Sequence, residues 1–292
     1  MVPRAGGPPT VRLRRLAGEM KALRAEAKLT REQVEERTGV NQGTLWRIEK
    51  GHAKPHSGTL ETLFDLYGVP SARRAELIEL TRGAHQPGWL DQFKDALLKK
   101  VISEGYATYI GFEFEAKAVH TYESLYVPGL LQTEDYARTV MIDGWPTEPD
   151  AVEPRVRTRM ERQAVLTQRR DGRDPLEFWA VIDEAVLRRQ VGDRSVMRAQ
   201  LGRLLEMSER PNITLQVVPF DRGAHPGMSG AFSCIKFGTS TPDIIHTDSL
   251  AGAVFLELDV EIERFAFAFD HLRAMALSPR DSSALIGGLL KQ

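Results

Sequence analysis

The sequence predicts a multidomain protein in which an all-α domain of five helices is followed by an α+β (mixed α/β) domain. Its 292 residues are enough for about two domains that each bury a core of their own. Short helical stretches separated by turn residues follow one another up to Arg82, and strand-like stretches alternate with helical ones after Trp89. Strands interleaved with helices are typical of a mixed α/β body, so the change of pattern predicts a change of domain.

The first domain is predicted to span residues 11–82, between a flexible lead and a hinge. Residues 1–10 contain two glycines and three prolines, and residues 83–88 contain a second group of Gly and Pro. Apolar residues at helical spacing predict the first helix at residues 12–27. The second domain is predicted to span residues 89–292.

Helices two and three are predicted from the residues at their ends. Thr30 followed by Gln33 forms a capping-box pattern at the start of helix two. Gly39 ends that helix, because glycine adopts left-handed backbone angles without strain. Asn41 is predicted to cap helix three, which ends before Gly51.

Two further helices complete the first domain. Ser57 is predicted as the cap of helix four, in which apolar residues recur three or four positions apart. Residues 68–70, Gly-Val-Pro, break the chain. Helix five is predicted to run from Ser71 to Arg82.

The second domain is predicted to contain both strands and helices. Helical segments are predicted near residues 89–104, 133–143, 151–170 and 195–209. Strands are predicted at residues 118–126, 176–182, 213–219, 231–237 and 244–247. A last long helix is predicted to begin near Leu258, because apolar residues recur there every three or four positions. Its apolar face contains Leu258, Ile262, Phe265, Phe269, Leu272 and Ala276.

The composition is that of a soluble globular protein. Apolar residues make up 42% of the chain, enough to offset the entropy that keeps disordered chains unfolded. No apolar run approaches the roughly 20 residues that span a membrane, and the first ten residues lack the apolar core of a secretion signal. A single cysteine, Cys234, excludes an internal disulfide and a multi-cysteine zinc site. We therefore expect a cytoplasmic protein without membrane contact.

Charge is divided unevenly along the chain. The whole sequence carries a net charge of −1. Residues 1–56 nevertheless hold 12 basic and six acidic side chains, whereas residues 89–292 hold 24 basic and 30 acidic ones. A basic segment suits a nucleic-acid partner, because neutralising phosphates releases bound counterions. On charge alone, a solvated arginine-rich helix surface explains the same pattern equally well.

Residues 29–51, LTREQVEERTGVNQGTLWRIEKG, have the pattern of a helix-turn-helix. The turn between the two helices begins at Gly39. Asn and Gln side chains bond adenine edges in the major groove, and Arg bonds guanine. In such a motif the first residues of the second helix meet the bases. The apolar side chains that would fix the angle between the helices are Val34, Val40, Leu45 and Ile48.

Residues 12–82 resemble the XRE/Cro family of bacterial and phage repressors. The resemblance rests on a helical lead, L-T-x-E-x-V, a Gly turn, T-L-x-R-I-E-x-G and the downstream Pro55, all in register. It implies that Thr30 and Arg31 anchor helix two to the phosphate backbone, and that Arg24 pairs with Glu49. The DNA-contacting residues that the motif and the resemblance together imply are Thr30, Arg31, Asn41, Gln42, Gly43, Thr44, Trp46, Arg47, Lys50 and Lys54.

Two positions depart from the pattern of that family. Glu35 stands where a small Ala is usual, so its charged side chain must lean outward. Arg31 stands where Gln is usual, which keeps a phosphate contact but changes base recognition. A five-helix bundle without a DNA role is the alternative interpretation. The register of the motif and the net charge of +6 in residues 1–56 favour DNA binding.

No catalytic signature stands out in residues 89–292. The patterns G-x-S-x-G, H-E-x-x-H and a Walker loop are absent. A hydrolase or a metal site would require scattered acid–base groups to converge on one pocket. These groups are Glu123, Asp183, Glu184, His225, His246 and Asp248. We expect no enzymatic activity and no cofactor or metal.

Two features of the second domain have two interpretations each, and a third has one. Three tyrosines either line a pocket or, as we favour, pack in the core: Tyr122, Tyr126 and Tyr136. Three arginines on one helix side form either a patch for DNA or a partner or, as we favour, a solvated face: Arg155, Arg159 and Arg162. Cys234, between Ser233 and Ile235 on a predicted apolar strand, is expected to be a buried small hydrophobe.

The second domain also carries a resemblance. Residues 121–137 (TYESLYVPGLLQTEDYA), 155–170 and 278–286 (SPRDSSALI) resemble the C-terminal domain of actinobacterial, Streptomyces-type XRE regulators, which are described as antitoxin-like. The resemblance covers nearly the whole chain. It implies a transcription regulator that works beside a small partner protein encoded nearby, and it supplies no catalytic residues.

Together these features predict a sequence-specific DNA-binding transcriptional regulator, cytoplasmic and nucleoid-associated, whose helix three enters the major groove. One such module makes few base contacts, so we expect a homodimer on a palindromic operator of double-stranded DNA. The second domain would dimerise and sense an effector or a partner protein. The alternatives are an antitoxin-like protein that binds a small co-encoded partner and autoregulates its operon, or an enzyme tethered to DNA.

Overall fold

The computed structural model describes residues 11–81, 102–144, 148–169, 173–238 and 241–292. The predicted lead at 1–10, the hinge at 83–88 and residues 89–101 of the helix predicted at 89–104 lie outside the described residues. The described chain comprises a helical part and a mixed α/β part, which confirms the predicted fold class. The domain boundaries themselves stay predictions.

Residues 11–81 form five helices around one apolar core. The helices are α1 (Val11–Glu26), α2 (Arg31–Thr38), α3 (Gln42–Glu49), α4 (Ser57–Tyr67) and α5 (Ser71–Thr81). Every helix contributes to the core, whose buried members are Leu13, Leu16, Met20, Val34, Leu45, Ile48, Leu60, Leu63, Phe64, Val69 and Leu77. Burying one such side chain contributes about 1.5–3 kcal/mol, so this core fixes how the helices pack.

The predicted ends of α2 and α3 are confirmed. The Thr30 hydroxyl accepts a bond from the Gln33 amide, and the Gln33 side chain accepts one from the Thr30 amide. Gly39 adopts a left-handed conformation with φ 73° after α2. The Asn41 side-chain oxygen accepts a bond from the Gly43 amide and caps α3.

The predicted cap of helix four is wrong by one residue. The carbonyl of His56 already accepts the first helical bond, from the Leu60 amide at 3.0 Å. His56 is therefore the cap, although its side chain makes no capping bond, and Ser57 is the first helical residue. Ser57 thus marks the first residue of the helix, and the cap is the residue before it.

The α/β part is built on one six-stranded sheet with the strand order β3-β2-β1-β4-β5-β6. The strands are β1 (Ala118–Glu123), β2 (Glu177–Asp183), β3 (Ile213–Val218), β4 (Phe232–Lys236), β5 (Ile244–Ser249) and β6 (Gly252–Leu256). Strands β1, β2 and β3 are parallel, whereas β4, β5 and β6 pair antiparallel to their neighbours. The five predicted strands are confirmed. β1, β3 and β4 are shorter than predicted, β2 is shifted by one residue and β5 extends two residues further, and β6 was not predicted.

Seven helices of the described residues accompany the sheet. They are α6 (Glu104–Glu115), α7 (Glu134–Asp143), α8 (Pro149–Arg162), α9 (Glu184–Arg188), α10 (Arg194–Ser208), α11 (Asp259–Met275) and α12 (Pro279–Leu290). Short 3-10 helices lie at Gly129–Leu131, Gln163–Leu166, Phe220–Arg222 and Pro226–Ser229. The helix predicted at 151–170 is thus shorter, and α6, α9 and α12 were not predicted. None of the helices described combines the length and apolar character that crossing a bilayer requires.

The two faces of the sheet are covered by different helices. The predicted apolar face of α11 packs on one side, where Phe269 and Leu272 are buried against Tyr122 and Cys234. Leu258 does not belong to that face, because it has extended backbone before the helix and is 56% exposed. Helix α6 covers the opposite side through ring contacts such as Tyr109 with His246 and Phe112 with Phe255. Helices α10 and α12 pack together beside β3.

Candidate DNA-binding interface

Helices α2 and α3 are held at a fixed angle by buried side chains. Val34 and Leu45 are fully buried and Ile48 is 1% exposed, and all three belong to the core of the helical part. Val40, in the turn between the helices, packs against the same core. This is the apolar contact set that the sequence predicts for a helix-turn-helix.

The ten residues predicted to contact DNA all keep some solvent exposure. Seven are exposed, namely Thr30, Asn41, Gly43, Trp46, Arg47, Lys50 and Lys54. Three are partly buried, namely Arg31, Gln42 and Thr44. A ligand approaching α3 from outside therefore reaches most of them without a change of fold. Their role in DNA contact stays a prediction.

A buried carboxylate connects α1, α2 and α3. The Glu49 side chain is fully buried and accepts bonds from Arg24 Nε at 2.5 Å and Arg31 Nη2 at 2.7 Å. The hydrogen bond to Glu49 raises the pKa of Arg24. The structure thus contains the Arg24–Glu49 pair that the family resemblance implies. It also places Arg31, the predicted phosphate contact, on the same carboxylate, which sequence reasoning missed.

Glu35 contacts the start of α3. Its two carboxylate oxygens accept bonds from Asn41 Nδ2 at 3.0 Å and from Gln42 Nε2 at 2.7 Å. The side chain is partly exposed, in line with the expectation that a charge at this position leans outward. The sequence did not reveal that Glu35 bonds two of the predicted base contacts.

The exposed side of α3 carries its largest polar and aromatic side chains. Arg47 lies along the helix, where it donates bonds to the Gly43 carbonyl and the Thr44 hydroxyl, both at 3.2 Å. Trp46 is 42% exposed and its ring meets His52 edge-on at 5.3 Å. His52 follows the helix and was not among the predicted residues. An exposed aromatic ring beside an arginine suits a nucleic-acid surface.

The α/β part holds a buried ion pair between α6 and α8. Arg162 Nε lies 2.9 Å from Glu113 Oε1, and the two side chains are 6% and 0% exposed. Arg162 also donates a bond to the Tyr106 hydroxyl at 2.7 Å. Burial alone would lower the pKa of Arg162, but Glu113 and the neighbouring tyrosines raise it. The favoured interpretation of this helix side as a solvated face was wrong for Arg162, because the sequence does not show that Glu113 lies opposite.

The tyrosine and cysteine interpretations are largely confirmed. Tyr122 and Tyr136 are fully buried, as expected for core aromatics, whereas Tyr126 is 38% exposed. Cys234 is buried in β4. Desolvation raises the pKa of the Cys234 thiol to about 12, so the thiol stays protonated and behaves as a small apolar side chain.

Comparison with family models identifies both parts of the chain. Residues 106–288 match the model described as a domain of unknown function (DUF5753), and residues 15–77 match a helix-turn-helix domain. The chain belongs to the DUF5753 family. It carries a DNA-binding helix-turn-helix domain at its N-terminal side, which indicates transcription regulation. No curated protein and no solved structure matched the chain.

The six acid–base groups that sequence reasoning singled out do not converge in the DUF5753 domain. Strand register places Asp183 on the Tyr122 face of the sheet, where its Oδ2 lies 3.4 Å from His225 Nε2. Glu123 and His246 lie on the opposite face. Burial raises the pKa of Glu123 to about 8, and burial together with Arg162 lowers the pKa of His246 to about 4.

Of the remaining two acids, Glu184 has structural partners and Asp248 is exposed. Glu184 Oε2 accepts a bond from the Phe220 amide and its Oε1 pairs with Arg188. Asp248 is exposed near the end of β5, on the same face as His246, and its charge adds to the rise in the pKa of Glu123. Within the described ranges, no three His, Cys, Asp or Glu side chains are placed to hold a metal ion.

Proposed function

We propose that this DUF5753 protein is a sequence-specific transcriptional regulator of the XRE/Cro type, in which α3 enters the major groove. The observation that carries the proposal is the α2–turn–α3 unit itself. Buried apolar side chains hold its two helices together, and most of the predicted contact residues are exposed. The net charge of +6 in residues 1–56 supports it, because phosphate neutralisation supplies most of the non-specific affinity of such domains.

The positions of the side chains support different proposed roles for α2 and α3. Gln42 and Gly43 begin α3, the end of the helix that meets base edges in this motif. Arg47 lies one turn further on the same exposed side and matches guanine by its two parallel donors. Thr30 caps α2 and Arg31 is its first residue, at the helix end whose partial positive charge favours a phosphate.

Selection from a random DNA library with the full chain tests the proposal. We expect a defined motif for the wild type. Arg47→Ala should weaken binding to that motif by about 1–3 kcal/mol and relax one base position, measured by fluorescence anisotropy. Arg31→Ala should weaken binding more uniformly across sequences. Arg210→Ala, an exposed arginine of the DUF5753 domain, is the matched control. Specific binding retained in full by Arg47→Ala would refute the role of α3.

We also propose that the regulator binds as a homodimer to a palindromic operator. A single helix-turn-helix makes few base contacts, and two modules on one DNA face gain specificity by reading half-sites one helical turn apart. The selected motif should therefore be an inverted repeat. Light scattering of the protein–DNA complex should give two chains per site, and one chain on a site without symmetry would contradict the dimer.

For the DUF5753 domain we propose a regulatory role, in which it senses an effector or a small co-encoded partner protein. The supporting observation is the polar cluster between α6, α8 and the sheet. Arg159 Nε is buried and finds no hydrogen-bond acceptor among the described residues, and the half-buried Glu123 carboxyl forms no hydrogen bond there. Buried polar groups normally have partners, so these groups suit a site that is completed by binding.

The two forms of this regulatory role are distinguished by co-expression. Small proteins encoded beside the gene are co-expressed with the full chain, and operator affinity is compared with and without them. Co-purification with a change in operator affinity would support the antitoxin-like form. If none of the co-expressed small proteins changes the operator affinity, the antitoxin-like form is excluded. A change in operator affinity on adding a cell metabolite extract would then support the effector form.

A further inference from the structure

We propose that Glu35 sets the base preference of α3 by fixing the orientation of the Gln42 side-chain amide. Glu35 is a positioning residue in this proposal, because it acts on DNA through Gln42. The inference rests on the proposed function of α3 as the recognition helix. It goes further by naming Gln42 as the residue that contacts a base and adenine as the base that it prefers.

The chemistry of Glu35 determines which end of each amide faces it. A carboxylate is an acceptor only, so the amide nitrogens of Asn41 and Gln42 must point towards Glu35 and their oxygens away. The distances agree, at 2.7 Å to Gln42 Nε2 and 3.0 Å to Asn41 Nδ2. One side chain on α2 thereby orients the first two side chains of the α3 region.

Both ends of the Asn41 amide already have a partner in this arrangement. Its oxygen accepts the bond from the Gly43 amide that caps α3, and its nitrogen donates to Glu35. A bidentate base contact by this side chain would therefore compete with the cap, which is worth about 1 kcal/mol, whereas the Gln42 oxygen has no such bond to share within the described part of the chain. We infer that Asn41 has a structural role and that Gln42 is the residue that contacts the base.

Gln42 keeps the edge that recognises adenine. Its Nε2 carries two hydrogens, and only one is used by Glu35. Among the described residues, the Gln42 oxygen accepts no hydrogen bond. The oxygen and the second N–H match the N6 donor and the N7 acceptor of adenine in the major groove. With the amide reversed, the oxygen would face the Glu35 carboxylate, so Glu35 excludes that orientation.

The chain offers a matched control in the next residue. Glu36 also lies on α2 and carries the same charge, but it is exposed and forms no hydrogen bond with any described residue. Removing either acid adds the same positive charge to the helical part. A difference between Glu35→Ala and Glu36→Ala therefore reports the contact with Gln42 and not the change of charge.

The test is selection from a random DNA library with the full chain. The wild type should prefer adenine at one position in each half-site. Glu35→Ala should lower that preference about tenfold and leave the other positions unchanged, whereas Glu36→Ala keeps the wild-type motif. Glu35→Gln retains only one acceptor oxygen and should show a smaller loss. Thermal unfolding of each variant verifies that the helical part is folded.

A double-mutant cycle separates this role from a general effect on α3. Gln42→Ala should lose the same adenine preference, and adding Glu35→Ala to it should change nothing further. A motif unchanged by Glu35→Ala, or an additive loss in the double variant, would overturn the inference while the proposed function stands. A wild-type chain that selects no motif would overturn the proposed function itself.

Discussion

At the scale of single residues, the buried Glu49 carboxylate illustrates what sequence could and could not predict. Its pairing with Arg24 is implied by the resemblance of residues 12–82 to a known family. The second bond, from Arg31, depends on that arginine replacing the usual glutamine, and the family pattern holds no partner for it. Contacts such as Arg31 with Glu49 or Glu35 with Gln42 depend on which residues lie close in three dimensions, so they are known only from the structure.

Glu49→Ala should destabilise the helical part severely. The substitution leaves the guanidinium groups of Arg24 and Arg31 without their shared carboxylate, and breaking a buried ion pair on one side costs about 3–5 kcal/mol. Urea unfolding of the full chain, followed by circular dichroism, measures the change. Glu36→Ala removes an exposed acid and should stay within about 0.5 kcal/mol of the wild type. Equal stability of the two variants would contradict the network.

His246 should make stability depend on pH. Burial and the nearby Arg162 lower its folded pKa to about 4 from 6.5, so the unfolded chain binds more protons between these values. Stability from this group therefore rises as pH increases from about 4 to 6.5. Glu123 acts in the opposite sense between about 4.5 and 8, because burial raises its folded pKa.

Replacing His246 with an aromatic residue isolates its contribution. His246→Phe keeps the ring packing against Tyr109 and Phe255 and should reduce the rise of Tm between pH 4 and 6.5. The rest of the rise belongs to His120, whose pKa burial also lowers to about 4. His271→Phe, on the exposed side of α11, is the control and should keep the wild-type profile. An unchanged slope in His246→Phe would show that this histidine does not titrate on unfolding.

At the scale of elements, helices with clear capping residues were predicted well, whereas segments without a clear apolar period were missed. The capping box at Thr30 and the glycine turn at Gly39 are local chemistry, so α2 and α3 were predicted to within a residue. Helix α6 was missed because EGYATYIGFEFE is rich in aromatic residues, which favour strands; its packing on the sheet overrides that preference. Strand β6 is short and partly exposed, and α12 contains Gly287 and Gly288, so neither has a clear period.

Gly39→Ala should weaken the turn between α2 and α3. Gly39 has φ 73°, and no atom outside its chain neighbours lies within 4 Å of an added Cβ, so the cost is backbone strain of about 1–2 kcal/mol. Gly58→Ala, in α4 with equal space and ordinary φ, should instead stabilise by about 0.5–1 kcal/mol. Urea unfolding compares the two, and an equal sign of change would contradict the assignment of strain to Gly39.

At the scale of the whole molecule, the near-zero net charge conceals two parts of opposite sign. Residues 1–56 carry +6 and residues 89–292 carry −6. The basic residues on the exposed side of α3 and just beyond it are therefore the ones expected to displace counterions from DNA. An acidic body repels phosphate, which favours DNA contact through the helical part alone. Counting charged residues along the sequence predicted this division. Which individual charges are paired, such as Arg162 with Glu113, is known only from the structure.

The salt dependence of DNA affinity tests this division of charge. Lys50 and Lys54 are exposed, and each phosphate contact contributes about 0.9 to the slope of log affinity against log salt concentration. Lys50→Gln and Lys54→Gln should each lower that slope by about 1 and leave the selected motif unchanged. Arg210→Gln, an exposed arginine of the acidic body, should leave both unchanged. Fluorescence anisotropy from 50 to 300 mM KCl, about the range in which screening is strong, measures the slopes. If Arg210→Gln lowered the slope as much as Lys50→Gln, the DUF5753 domain would also contact DNA. The division of charge would then not restrict DNA binding to the helical part.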